Sequence, residues 1–234
     1  MRFEPSPNAA IKVAHIGEEK APVIVIDGLL NRPDQLVRYA ALNGEFGSVS
    51  DNLYPGVRAP MPLDYVDGAV RALDPLIREA FNLEAVKLAK AECFYSIVTT
   101  PPGALHRLQM APHIDTTDHL HFAVVHFLCG PDFGGTAFYR QNATGYEAVG
   151  PDHEASWADA RDRALADADR RRGYVNAASP DYHQIALFAA KYDRLILYRS
   201  NQLHSGYIPD DMLFSADPQK GRLTANFFIG YRTV

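Results

Sequence analysis

Ala111-Pro112-His113-Ile114-Asp115-Thr116 is the stretch on which the reading of this sequence turns. In an extended chain the side chains return to one face every second residue, so His113 and Asp115 point the same way. An imidazole nitrogen and a carboxylate oxygen on one face are two of the three ligands of the 2-His-1-carboxylate triad. That triad binds non-haem Fe(II) and leaves coordination positions open. The pair needs one distant histidine. His204, in Leu203-His204-Ser205-Gly206, follows the strand-like run Leu195-Ile196-Leu197-Tyr198 and precedes Gly221-Arg222-Leu223-Thr224.

Other histidines compete for the role. The run His119 to Leu128 contains His119, His121 and His126, and His106 lies upstream. His119 and His121 share a face and could join a third group around a metal, but neither has a carboxylate two residues away. All four read as ordinary polar residues at strand ends.

The order His113-x-Asp115, His204, Arg222-x-Thr224 resembles the Fe(II)/2-oxoglutarate-dependent dioxygenases, in particular the prolyl-hydroxylase-like branch. Gly134-Gly135-Thr136-Ala137-Phe138 is similar to a strand entry of that branch, and the resemblance covers roughly residues 91 to 232. It implies a mainly β fold with flanking helices (α+β): a double-stranded β-helix, or cupin-like jelly roll, with N-terminal helices packed on the sheet. It also implies that His113, Asp115 and His204 hold Fe(II) as the catalytic centre, with 2-oxoglutarate as co-substrate and O2 as oxidant. The expected reaction hydroxylates a substrate carbon while 2-oxoglutarate is decarboxylated to succinate. Arg222 would then pair with the distal carboxylate of 2-oxoglutarate, assisted by Thr224, and Tyr95 is a further co-substrate candidate. Arg199 and Arg107 stand next in line for the role of Arg222.

Two features depart from the family pattern. Tyr207 to Lys220 separate His204 from Arg222 more widely than in many relatives, and the span from Asp115 to His204 carries a charged segment that a minimal jelly roll does not need. Two other classes stay open. One is a cupin-like jelly roll holding Zn(II) or Mn(II) on His113, His204 and either His119 or His121, with a non-oxygenase activity or a sensing role. The other binds a ligand without metal.

The 234 residues, 47% of them hydrophobic, suit one domain: a supporting region over 1–90, then a catalytic core over 91–234 with a helical insertion at about 142–180. A net charge of −5 without a basic stripe argues against nucleic acid as a partner. The expected partner is a small-molecule or peptide substrate, with the oligomeric state open and a homodimer included. Cys93 and Cys129 sit in apolar runs and read as buried reduced thiols. No stretch has the length of a membrane span or the form of a signal peptide, so a cytoplasmic location and no membrane partner are expected.

Among local elements, Val23 to Ile26 reads as a buried strand, followed by a helix that Asn31 can cap and Pro33 can start. Gly44 to Pro62 reads as a long loop, with Tyr54 and Arg58 either folded over the site mouth or on a braced surface. Leu63 to Phe81 has helical spacing, and Pro75 predicts two short helices or one kinked helix. Val86 to Lys90 reads as a short extended segment and Cys93 to Val98 as a strand. Glu154 to Arg172 reads as a solvated helix with opposite charges four residues apart (Asp159/Arg163, Asp167/Arg171). Tyr182 to Phe188 and Leu195 to Tyr198 read as a hairpin-like pair, and Leu223 to Tyr231 as the last strand.

Overall fold

The computed structural model describes residues 2–48, 54–166 and 173–234. Among them, eleven strands form two antiparallel sheets. The larger sheet has the order β1 (Ala10–Ile16), β2 (Ala21–Asp27), β9 (Arg194–Arg199), β6 (His121–Phe127), β11 (Arg222–Thr233), β5 (Val86–Val98), β4 (Gly56–Pro60), β3 (Gly47–Ser48). The smaller has the order β10 (His204–Tyr207), β7 (Gly135–Gln141), β8 (Tyr182–Ala189). The two-sheet arrangement is the double-stranded β-helix that the sequence motifs imply.

Strand β11 shows how the sheet divides core from site. Its odd residues Leu223, Ala225, Phe227 and Ile229 are buried on the helical side, among Tyr65, Val66, Ala69, Val70, Leu73 and Ile77 of α2 (Leu63–Ala80). Its even residues Arg222, Thr224, Asn226 and Phe228 line a cavity on the other side. The period of two along a strand thus puts hydrophobic anchors and site residues on one backbone. Between the sheets, Val23, Val25, Ala123, Phe127, Phe138, Ile196 and Tyr198 pack into a second core.

Several elements differ from the sequence expectation. Helix α1 spans Asp34–Asn43 with Pro33, not Asn31, at its N-cap and no side-chain cap. Helix α2 is one helix running through Pro75, which excludes the two short helices and leaves the single-helix alternative. Its buried stripe against the sheet outweighs the one backbone hydrogen bond the proline cannot donate. Val86–Val98 is a single strand, because it pairs along its length with β11. The expected loop around Arg58 is strand β4, paired with β5.

Strands β8 and β9 are not a hairpin: β8 pairs with β7, whereas β9 pairs with β2 and β6. Both strands contribute to the same inter-sheet core, through Ile185 and Phe188 from β8 and Ile196 and Tyr198 from β9. Strands that bury side chains against one another lie face to face, not edge to edge. The connection is pinned by Asp193, with φ of 62°, whose carboxylate accepts from the Leu30 amide at 3.0 Å and lies 2.9 Å from His126 Nε2.

Helix α3 (Glu154–Ala166) buries Trp157, Ala160 and Leu165, and Trp157 packs with Val149 and Leu203. It is more than a solvated face, and its Trp157 and Arg161 border the cavity. Asp167 and Arg171 lie outside the described residues. Cys93 and Cys129 are free thiols.

Candidate metal centre

Residues 111 to 116 are not a strand: the chain bends at Ala111 and Asp115, and only His113 joins the β-structure, through an isolated bridge to His204. The Asp115 amide donates to the Ser200 carbonyl at 2.9 Å. These backbone contacts fix the HxD segment beside the start of β10, bringing His113, Asp115 and His204 together. One ligand atom from each lies within 4.8 Å of the others. Both His113 Nε2 to Asp115 Oδ1 and His204 Nε2 to Asp115 Oδ2 measure 3.8 Å. Cis donors at bond lengths of about 2.1 Å stand about 3 Å apart, so closure by up to about 2 Å would seat one ion.

The donor chemistry also suits a divalent metal. His204 Nδ1 lies 2.9 Å from the Gln202 carbonyl, an acceptor, so Nδ1 carries the proton and Nε2 presents its lone pair towards Asp115. Burial pushes both His113 and His204 down to about 4, aided for His113 by the neighbouring His204. Both imidazoles are therefore neutral ligands at physiological pH. Burial raises Asp115, opposed by His113, His121, Arg58 and a hydrogen bond from Ser200. His113 leaves 52% of its side chain exposed on the cavity wall, which gives a metal ion access to it.

The remaining histidines separate cleanly. His121 lines the cavity and lies 3.0 Å through Nδ1 from Ser200 Oγ, forming a chain His121–Ser200–Asp115 behind the carboxylate. His126 is fully buried on the helical side between Tyr65 and Asp193. His106 caps a short 3₁₀ turn, and neither it nor His119 borders the cavity.

The cavity measures about 830 Å³, within the range of small-molecule sites. Arg222 and Thr224 are both on its wall. Arg222 is buried yet ion-paired to no acid among the described residues; Nε donates to the Phe133 carbonyl at 2.9 Å and Nη2 to the Gly135 carbonyl at 2.7 Å. The paired glycines serve this arrangement: Gly134 takes φ of 78°, and a Cβ there would sit 2.0 Å from the Tyr207 carbonyl oxygen. Thr224 Oγ1 makes only a long 3.4 Å contact to the Ser96 carbonyl. Arg199 and Arg107 do not border the cavity; Arg199 stacks on Phe81 and Phe122, and Arg107 lies 3.6 Å from Asp162.

Tyr95 does not belong with these residues. It is fully buried on the helical face of β5, in the core with Tyr65, and its hydroxyl has no partner. Strand alternation turns it away from the cavity, which β5 borders through Lys90, Glu92 and Val98. The tyrosine that the sequence reading passed over is Tyr198. It is buried beside His204 with ring centroids 4.9 Å apart, borders the cavity, and feels both Asp115 and Arg222. Its inward position follows from alternation with Ile196 along β9, and that period is visible in the sequence.

Comparison with known proteins agrees with this architecture. Residues 7–229 match the family described as "Family of unknown function (DUF6445)". No curated protein matches the chain. HygX from Streptomyces hygroscopicus, solved with nickel and 2-oxoglutarate bound, aligns over 91% of this chain and 84% of its own at 14% identity and a TM-score of 0.50. A Pseudomonas putida prolyl-4-hydroxylase aligns over 85% and 83% at 16% identity, TM-score 0.44. An N-substituted L-amino acid dioxygenase from Burkholderia ambifaria aligns over 99% of each chain at 12% identity, TM-score 0.44. No helix among the described residues is long and apolar enough to cross a membrane. With its HxD…H cluster at the mouth of a double-stranded β-helix, the chain belongs to the DUF6445 family and has the jelly-roll fold of the Fe(II)/2-oxoglutarate-dependent oxygenases.

Proposed function

We propose that the protein is an Fe(II)- and 2-oxoglutarate-dependent oxygenase that hydroxylates a carbon of a small-molecule or peptide substrate. The observation that carries this reading is one cavity bordered by His113, Asp115 and His204 together with a buried arginine, Arg222, that no acid neutralises among the described residues. Fe(II) bound by the three ligands, with 2-oxoglutarate and dioxygen, supplies oxidation of a C–H bond coupled to decarboxylation to succinate.

The chain's own residues supply position and environment. His113 and His204 present neutral nitrogens, and Asp115 brings one negative charge that partly offsets the ion's. Arg222, already oriented by two carbonyls, receives the distal carboxylate of 2-oxoglutarate through its remaining N–H groups, and Thr224 offers a hydroxyl on the same strand. Tyr198, Val98 and Ile208 wall off that end of the cavity from water.

The test is anaerobic reconstitution with Fe(II) and 2-oxoglutarate, followed by absorption spectroscopy and, on adding oxygen, assay of succinate. A charge-transfer band that needs both components, and succinate formation that depends on iron, are expected. Absence of both from folded, iron-loaded protein would overturn the reading. Iron-independent turnover of some other kind would favour the cupin-like alternative.

A further inference from the structure

A second arginine on the cavity wall remains unexplained by the chemistry above. Arg58 lies on β4, where the register places it beside Ser96 of β5, and Ser96 in turn beside Thr224 of β11. Its guanidinium stacks over the Tyr54 ring at 4.6 Å and the Phe94 ring at 5.4 Å. Among the described residues no carboxylate pairs with it, and its Nε is buried without an acceptor. It borders the same cavity as His113, Asp115 and His204, and so does Arg222.

The other cations on the wall are accounted for. Lys90 pairs with Glu92, and Arg161 pairs with Asp162. On the reading proposed above, a divalent ion, Asp115, doubly charged 2-oxoglutarate and Arg222 together sum to neutrality. Arg58 then leaves one uncompensated positive charge, partly buried with its Nε shielded from water, an arrangement that an anion would relieve.

We infer that Arg58 is the binding residue for a single carboxylate on the primary substrate, held against the planar guanidinium between Tyr54 and Phe94. A planar monoanion matches both the one free charge and the fork of N–H donors, whereas a phosphate dianion would leave the site net negative. The inference rests on the oxygenase reading for the assignment of Arg222, and the substrate class it names is a carboxylic acid.

The single tryptophan of the chain, Trp157, borders the same cavity, so its fluorescence reports occupancy. Protein loaded with Ni(II) and saturated with 2-oxoglutarate is titrated with propionate, phenylacetate and N-acetylphenylalanine, each against its primary amide. At least one acid should bind about tenfold or more tightly than its amide. Arg58→Gln should erase that preference, Arg58→Lys should keep part of it, and both should bind 2-oxoglutarate as the wild type does. Equal binding of every acid and amide by the wild type, or an undiminished preference in Arg58→Gln, overturns the inference. Loss of 2-oxoglutarate binding in Arg58→Gln also overturns it, assigning Arg58 to the co-substrate and leaving the oxygenase reading intact. Failure of the wild type itself to bind 2-oxoglutarate refutes the oxygenase reading instead. Circular dichroism of each variant separates loss of contact from loss of fold.

Discussion

His113 and His204 exchange both backbone hydrogen bonds, each amide donating to the other's carbonyl at 2.9 Å. This bridge sets their imidazole centroids 4.4 Å apart. The two ligands most distant in sequence are thus positioned by main chain, which no side-chain substitution removes. Alanine at His113, Asp115 or His204 should weaken Fe(II) affinity by well over about 100-fold, since a three-ligand site has no redundancy. The fold should persist in each variant. Metal analysis after anaerobic reconstitution decides it, and full iron occupancy in His113→Ala or Asp115→Ala would refute the site.

Ser200 stands between His121 and Asp115, and its hydroxyl helps to orient the carboxylate ligand. Ser200→Ala should lower metal affinity by roughly tenfold, the range typical of groups that support a ligand from behind. His121→Ala should do the same, and the double variant should lose little more, because both act through one chain of contacts. Additive losses measured by competition with a chelator would show that His121 acts independently.

Replacing Arg222 by Ala should reduce 2-oxoglutarate affinity by about 100-fold, and by Lys somewhat less, because Lys keeps the charge but loses the planar fork. Calorimetric titration of metal-loaded protein measures this. Wild-type affinity in Arg222→Ala would mean that another cation holds the co-substrate. Arg222 also ties down the Phe133 and Gly135 carbonyls, so its alanine variant should unfold at a somewhat lower temperature.

Tyr95 buries a hydroxyl that has no hydrogen-bond partner. Removing an unsatisfied polar atom from a core is neutral or favourable, so Tyr95→Phe should match or exceed wild-type stability by up to about 1 kcal/mol. Its 2-oxoglutarate affinity should be unchanged. A drop in that affinity would return Tyr95 to the site.

Asp27 forms a forked ion pair with Arg194, with contacts of 2.6 and 2.9 Å, at the ends of β2 and β9. The Arg194 hydrogen bonds, with Lys191 assisting, hold its carboxyl down at about 2 against an ordinary 3.8. Because the folded-state value is the lower, the stabilisation is fully present above about pH 4 and is lost as pH falls towards about 2. Asp27→Asn should therefore lose roughly 1–2 kcal/mol at neutral pH, after allowing for solvent screening, and the difference from wild type should shrink over that acid window. Urea denaturation at several pH values tests it; a constant difference down to pH 2 would remove the pair from the account.

The candidate metal ligands were legible in the sequence from the HxD spacing and the later histidine, which the fold brings together. The strand cores were legible from the period of two, and the order of motifs pointed to the jelly roll. Periodicity does not say which face a strand turns inward or which strand it pairs with. Tyr95 and Ser96 are adjacent, and only packing of α2 against β5 decided that Tyr95 turns into the core and away from the cavity. Strands β8 and β9, adjacent in sequence, were separated into different sheets because both bury side chains in the space between those sheets. Arg58 was visible as part of a polar segment, yet its unpaired state depends on which acids the tertiary structure leaves out of reach. The sequence by itself determined the candidate ligand set and the local periods; the tertiary structure decided faces, partners and uncompensated charge. Those depend on contacts between residues far apart in the chain, which no local pattern encodes.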